Sequence, residues 1–327
     1  MMLNRVGLLL PLLCCSVPGL AHSVRHVSMD GHAFYASGFN VEQLVNQGDI
    51  QQAERQIRDQ LTLSQAEQNL RAVATGSHAL GQISLIKNNY PLALRQFQSA
   101  LDFFKSAREP LGIADLYTDI GRTYRVMGLY QSALGYFNLA KDIYHQQRRY
   151  DGIALQQLEV GISLRLLGQF ESALSQLERA LLLLRQENDS QATASTLMQI
   201  ARVYSEIDKN DEAMLYLQDA AALIDTLKIK TLQAELDYHL GQVNIQMGHY
   251  SNARRHLEQS KVQFSQLEAQ CDVAKIDSTL GAILINQHQV EAGISLLESK
   301  LVQATEYNCT TLLTELHLNL AQAYLGK

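Results

Sequence analysis

Tryptophan is absent from the 327 residues, and proline and cysteine occur only four times each. The lack of tryptophan removes the residue that most often anchors interfaces and membrane belts. So little proline leaves few helix breakers, and long uninterrupted helices are allowed. Cysteine is too sparse for a disulfide-built scaffold, and no C-x-x-C or H-x-x-x-H spacing accompanies Cys271 and Cys309 to mark a zinc site. Basic runs are missing as well. A formal net charge of −6 argues against general nucleic-acid binding. Catalytic signatures are equally absent. There is no G-x-S-x-G, no phosphate-binding G-x-x-x-x-G-K-S/T, no H-E-x-x-H and no dinucleotide fingerprint. The sequence therefore points to a protein that is not an enzyme and needs no cofactor or metal.

The first residues form a segment of their own. Arg5 gives a short positive start, Val6 to Val17 is mostly apolar, and Gly19-Leu20-Ala21 offers small residues where a signal peptidase cuts. Pro11 and Pro18 break the apolar run, which is too short to span a bilayer comfortably. The expectation is a cleaved secretory signal over 1–21, with an uncleaved anchor as the alternative. Leu12-Leu13 before Cys14 lack the small residues of a lipidation site. Residues 22–35 read as a flexible lead-in. No later stretch is apolar enough to cross a membrane, so the mature chain is expected in the periplasm of a bacterium, or otherwise secreted.

What fills the remainder is repetition. Gly81, Gly121, Gly161, Gly241 and Gly281 fall 40 residues apart, with Ala201 in the one gap. Turn-prone residues follow at Asn88, Gly128, Gly168, Asp208, Gly248 and His288. Then come Ala93, Ala133, Ala173, Ala213 and Ala253, and after them Phe97, Phe137, Leu177, Leu217, Leu257 and Leu297. A fixed period of this size means stacked units. Within one unit Leu116, Ile120 and Tyr124 share a helix face. Gly128 stops that helix, and Tyr130, Ala133, Phe137 and Ala140 continue on a second one. One helix pair cannot bury its apolar face alone, so neighbours must stack. The fold class is all-α, a superhelical solenoid of about seven helix-turn-helix units over 36–327. Fifteen helices are expected from about Ala36 to Gly326. The unit bounds lie near 34–73, 74–113, 114–153, 154–193, 194–233, 234–273 and 274–313, with a partial unit at 314–327.

Leu80-Gly81, Tyr90, Ala93, Phe97 and Ala100, and again Ile120-Gly121, Tyr124, Gly128, Tyr130, Ala133, Phe137 and Ala140, resemble the tetratricopeptide repeat. The period of 40 residues exceeds the family's usual one of about 34. The extra residues fall at the junctions, such as Lys105–Gly112, where longer helices and a longer connecting turn are expected. The resemblance implies a binding framework whose ligand runs along the inner face of each unit's first helix.

On that face the sequence collects Arg122, Arg125, Arg165 and Arg202, with Met198, Tyr238 and Gln242 beside them. Guanidinium groups suit carboxylates. These seven residues are the candidate partner-binding set, for a peptide or protein with acidic groups or a free carboxylate. The arginines are expected to stand outside the core. The competing reading pairs them with Asp115, Asp119, Glu159 and Glu206 in solvated salt bridges. Cys271 and Cys309 sit at nearly equivalent junctions of consecutive units. Equivalent points lie about 10 Å apart, beyond disulfide reach, while the two-residue offset could close the gap. A bridge and two free thiols therefore both stay open.

Taken together, the sequence reads as an exported, non-enzymatic scaffold or adaptor. The alternative is a periplasmic sensory input domain of a larger signalling protein, suggested by apolar Leu313, Leu316, Leu320 and Tyr324 in a unit without its second helix.

Overall fold

The computed structural model describes residues 50–307 and 309–325. The expected signal, the lead-in and the first helix before Ile50 lie outside the described residues. Fourteen helices follow one another: α1 Ile50–Ala66, α2 Leu70–Ile86, α3 Tyr90–Ser106, α4 Pro110–Val126, α5 Tyr130–Gln146, α6 Tyr150–Leu166, α7 Phe170–Gln186, α8 Ser190–Glu206, α9 Asn210–Leu227, α10 Lys230–Gln246, α11 Tyr250–Gln266, α12 Gln270–Asn286, α13 Val290–Glu306 and α14 Thr310–Leu325. No strand occurs among the described residues.

The backbone repeats twice as often as the sequence. Most helices are 17 residues long with three-residue turns between them. Residues 68, 88, 108 and onward to 288 all adopt positive φ, one every 20 residues. At each such turn but that of Lys228 the next amide reaches back five residues, as in Asn89 N to Ser84 O at 2.8 Å and Glu109 N to Phe104 O at 2.9 Å. This is the glycine-type helix stop, built here with Gly128, Gly168 and Gly248 and elsewhere with residues as varied as Arg108 and His288. The expectation of longer junctional turns is corrected accordingly. The junctions are as short as the turns inside a unit, and the residues beyond the usual repeat lengthen the helices. Each first helix also starts about four residues before the unit bounds read from the sequence, at 70, 110 and 150 rather than 74, 114 and 154.

The repeated small residue has a specific partner. A Cβ on Gly121 would lie 2.6 Å from the Phe137 ring, and one on Gly81 would lie 2.5 Å from Phe97. The aromatic of the second helix thus fills the space left by the glycine of the first, and Phe97 and Phe137 are fully buried. Burying such a ring contributes roughly 1.5–3 kcal/mol, which a larger residue at the glycine would forfeit through overpacking.

Every helix packs on its successor. In addition, the first helices touch one another across units, α2 on α4, α4 on α6, α6 on α8, α8 on α10 and α12 on α14. The second helices make no such close approach to one another. Layers that come closer on one side must curve toward it, so α2, α4, α6, α8, α10, α12 and α14 line the inner face. The approach is slackest between α10 and α12.

Candidate functional site

The inner face carries a continuous tract of polar and charged side chains where an ordinary interior would be apolar. Its first half is fully connected. His78 on α2 meets Asp119 on α4 at 2.8 Å, and Gln82 donates to the same Asp119 oxygen at 2.7 Å. Arg122 donates from Nη1 to Asp119 at 3.2 Å and from Nε to Glu159 on α6 at 2.6 Å. Arg125 donates to the other Glu159 oxygen at 2.6 Å. Burial alone would push the Asp119 and Glu159 carboxyls up, yet His78 on one side and the two guanidinium groups on the other hold both below their ordinary values. Arg165 on α6 then pairs with Glu206 on α8, continuing the ladder by one rung.

These pairings correct part of the sequence reading. Arg122, Arg125 and Arg165 are each 3% exposed, so they lie in the interior and not on an open wall. Their partners are the carboxylates Asp119, Glu159 and Glu206 of the competing reading, but for Arg122 and Arg125 the bridges are buried and not solvated. Met198 is corrected as well: it sits at 1% exposure in the apolar core with Leu197 and Ile200, out of reach of a partner. Asp115 has a different task and accepts a hydrogen bond from Tyr144.

Beyond Arg165 the pattern changes. Arg202 on α8 is half-buried and makes neither a hydrogen bond nor an ion pair among the described residues. Burial and the like charge of Arg165 bring it down to about 9. Lys275 on α12 is buried, and its Nζ lies 4.2 Å from the centroid of the Tyr238 ring. Burial, reinforced by Arg202, lowers Lys275 to about 7. Glu235 on α10 is half-buried without a hydrogen bond, and burial together with Asp272 raises it to about 8. His239 is buried with Nδ1 lacking a partner, and burial keeps it well below the ordinary histidine value. Gln242 donates to Tyr238 Oη at 2.8 Å. Arg202, Tyr238 and Gln242 of the candidate set are therefore brought together here, and Lys275, Glu235 and His239 join them.

The second group was missed because the sequence reading followed three columns of the repeat and not a fourth. Asp115, Glu235, Lys275 and Glu315 are 40-residue equivalents one turn ahead of the Asp119, Glu159 and His239 column. Charged residues recurring at a first-helix position that also holds Thr75 and Ser195 were the available signal.

Cys271 and Cys309 are joined in a disulfide with Cα atoms 5.7 Å apart. Cys271 lies inside the first turn of α12 while Cys309 precedes α14, so the two-residue offset brings them within bonding distance. The bridge ties the start of α12, one turn from Lys275, to the last unit. Among the described residues no cluster of histidine, cysteine and carboxylate side chains could hold a metal ion. No helix among the described residues is long and apolar enough to cross a membrane.

Comparison with known proteins accords with this architecture. Residues 153–225 match the family model of the tetratricopeptide repeat. No curated protein matches the chain in sequence. Among solved structures, the apo form of RapI is 15% identical, covers 89% of this chain and 100% of its own, and superposes with a TM-score of 0.62. Aspartyl phosphate phosphatase F from Bacillus subtilis is 16% identical over 80% of this chain and 72% of its own, with a TM-score of 0.61. The Rap conjugation gene regulator of plasmid pLS20, in complex with the Phr* peptide, is 17% identical over 80% and 75%, also at 0.61. At such identities the likeness is one of fold. The family match thus covers residues 153–225, and the other described helix pairs share its fold.

Proposed function

We propose that this tetratricopeptide-repeat chain is an exported scaffold that holds a peptide or protein segment bearing acidic groups or a free carboxylate against its inner face. The observation that carries the reading is the pair of inner-face cations, Arg202 and Lys275, neither of which forms an ion pair among the described residues, although Glu235 and Glu315 stand near enough to act on them. A cation removed from water without a counter-ion is costly, and an anionic segment laid along α8, α10 and α12 supplies one. Gln242, half-buried, offers hydrogen bonding in the same place, while Tyr238 at 5% exposure backs the site from within the core. A similar structure was solved in complex with the Phr* peptide, which supports a peptide as the class of partner. The missing catalytic motifs support a role without chemistry. The segment 1–21, with its positive start and small-residue cleavage site, and the Cys271–Cys309 bridge support export to an oxidising compartment. An input domain of a larger signalling protein would use the inner face in the same way.

The test is site-directed photo-crosslinking in the native compartment. A crosslinker at Gln242 on the inner face is expected to trap a partner, and one at Leu182, which is 61% exposed on α7, to trap none. Trapping from Leu182 alone would place the function on the outer surface and overturn the reading.

A further inference from the structure

The groups around Lys275 decide how its charge responds to a ligand. Across from it on α10 stand Glu235, Tyr238 and His239, on α8 Arg202, and on α6 Arg165, which Glu206 already holds. Its own helix supplies Asp272, and α14 supplies Glu315. On the opposite side of α12, Asp277 takes Lys261 of α11 at 2.6 Å and Lys300 of α13 at 3.0 Å, so those two ammonium groups are committed elsewhere. Among the described residues Lys275 forms no ion pair; it sits on the Tyr238 ring, within reach of the field of Glu315, at the place where the first helices approach least closely. An aromatic face stabilises an ammonium only modestly compared with a carboxylate.

We propose that Arg202 and Lys275 receive a carboxylate of the bound segment, and that Lys275 takes up a proton from solvent as it does so. Capture is then tighter in mild acid than in mild base. This rests on the inner-face reading above and adds to it both the receiving residues and their regulation.

The sign follows from linkage. With Lys275 at about 7 in the empty protein, much of it is neutral near neutral pH and nearly all of it above pH 8 or so. A carboxylate beside it favours the charged form, so binding draws in a proton and weakens as pH rises. Glu235, at about 8, acts in the same direction, because its ionisation at higher pH places a negative charge beside the ligand. His239 stays neutral throughout and contributes nothing to the slope. The peptide's own carboxylates are ionised over the whole range.

The experiment is isothermal titration of an N-acetylated tetraglutamate peptide into the mature chain at constant ionic strength, in buffers of different ionisation enthalpy. Wild type is expected to bind about tenfold more tightly near pH 6 than near pH 8, with net proton uptake between them. Lys275→Gln should bind weakly with the dependence flattened, while Lys275→Arg should bind tightly with the dependence also flattened. Arg202→Gln should weaken binding at both values and keep the ratio. Circular dichroism of each variant verifies that it is folded. An unchanged slope in Lys275→Gln, or pH-independent binding by wild type, overturns the proton coupling while a crosslink from Gln242 still stands. No binding of the peptide at either pH overturns the carboxylate site itself.

Discussion

The two halves of the inner face use the same helix positions for opposite ends. From α2 to α6 the charges have their complements within hydrogen-bond distance except Asp115, which accepts from the Tyr144 hydroxyl, and Glu159 alone serves two guanidinium groups at 2.6 Å each. From α8 to α12 the charges are of both signs, with Lys275 buried and Arg202 and Glu235 half-buried, yet none of these three forms an ion pair among the described residues. A buried charge that is paired and hydrogen-bonded is tolerated, and its removal is what costs. A buried charge left alone costs while it remains. The first half thus behaves as structure, locking α2, α4 and α6 in register. The second behaves as a site kept ready at the expense of the fold, as functional sites often are.

The sharpest way to break this comparison is to remove the acid of the first half. Glu159→Gln keeps the size of the side chain but leaves Arg125 without its carboxylate and Arg122 with Asp119 alone. The expected loss is about 3–5 kcal/mol in urea unfolding. A loss under about 1 kcal/mol would mean that water, and not Glu159, satisfies these guanidinium groups.

A smaller effect separates the halves through packing. A Cβ at Gly121 meets the rigid Phe137 ring at 2.6 Å, whereas one at Gly281 meets the movable end of Leu297 at 3.1 Å. Gly121→Ala is expected to cost about 1–3 kcal/mol by overpacking. Gly281→Ala should stay within about 1 kcal/mol of wild type, because the gain in helix propensity offsets a minor adjustment. Equal costs in both would show that the second half is packed as tightly as the first.

Much of the fold was legible because it rests on residues that sterics forces to recur. Gly121 needs Phe137 and Phe137 needs Gly121, so both columns appear at the 40-residue period. The 20-residue backbone period was hidden, since the turns between units carry Gln68, Arg108, Arg148 and Glu268 at positive φ where the usual glycine signal is absent. At the inner face the arginines were visible as a group, but not their fates. Arg122, Arg125 and Arg165 find acids contributed by the next first helix, 34 to 41 residues away, while Arg202 has His239 at the position where Arg122 has Glu159. Arg122 and Arg202 are equivalent positions two units apart. What differs is whether the equivalent position one unit later bears an acid that reaches.

The measurement that bears most directly on the contrast is the unfolding free energy of Arg202→Gln/Lys275→Gln, determined without ligand beside wild type near neutral pH. Two withdrawn charges without ionic partners are predicted to cost the free protein stability, so their removal should leave it unchanged or raise it by up to about 1 kcal/mol. A loss of more than about 2 kcal/mol, comparable to breaking the Glu159 network, would contradict the account and make both halves of the inner face structural.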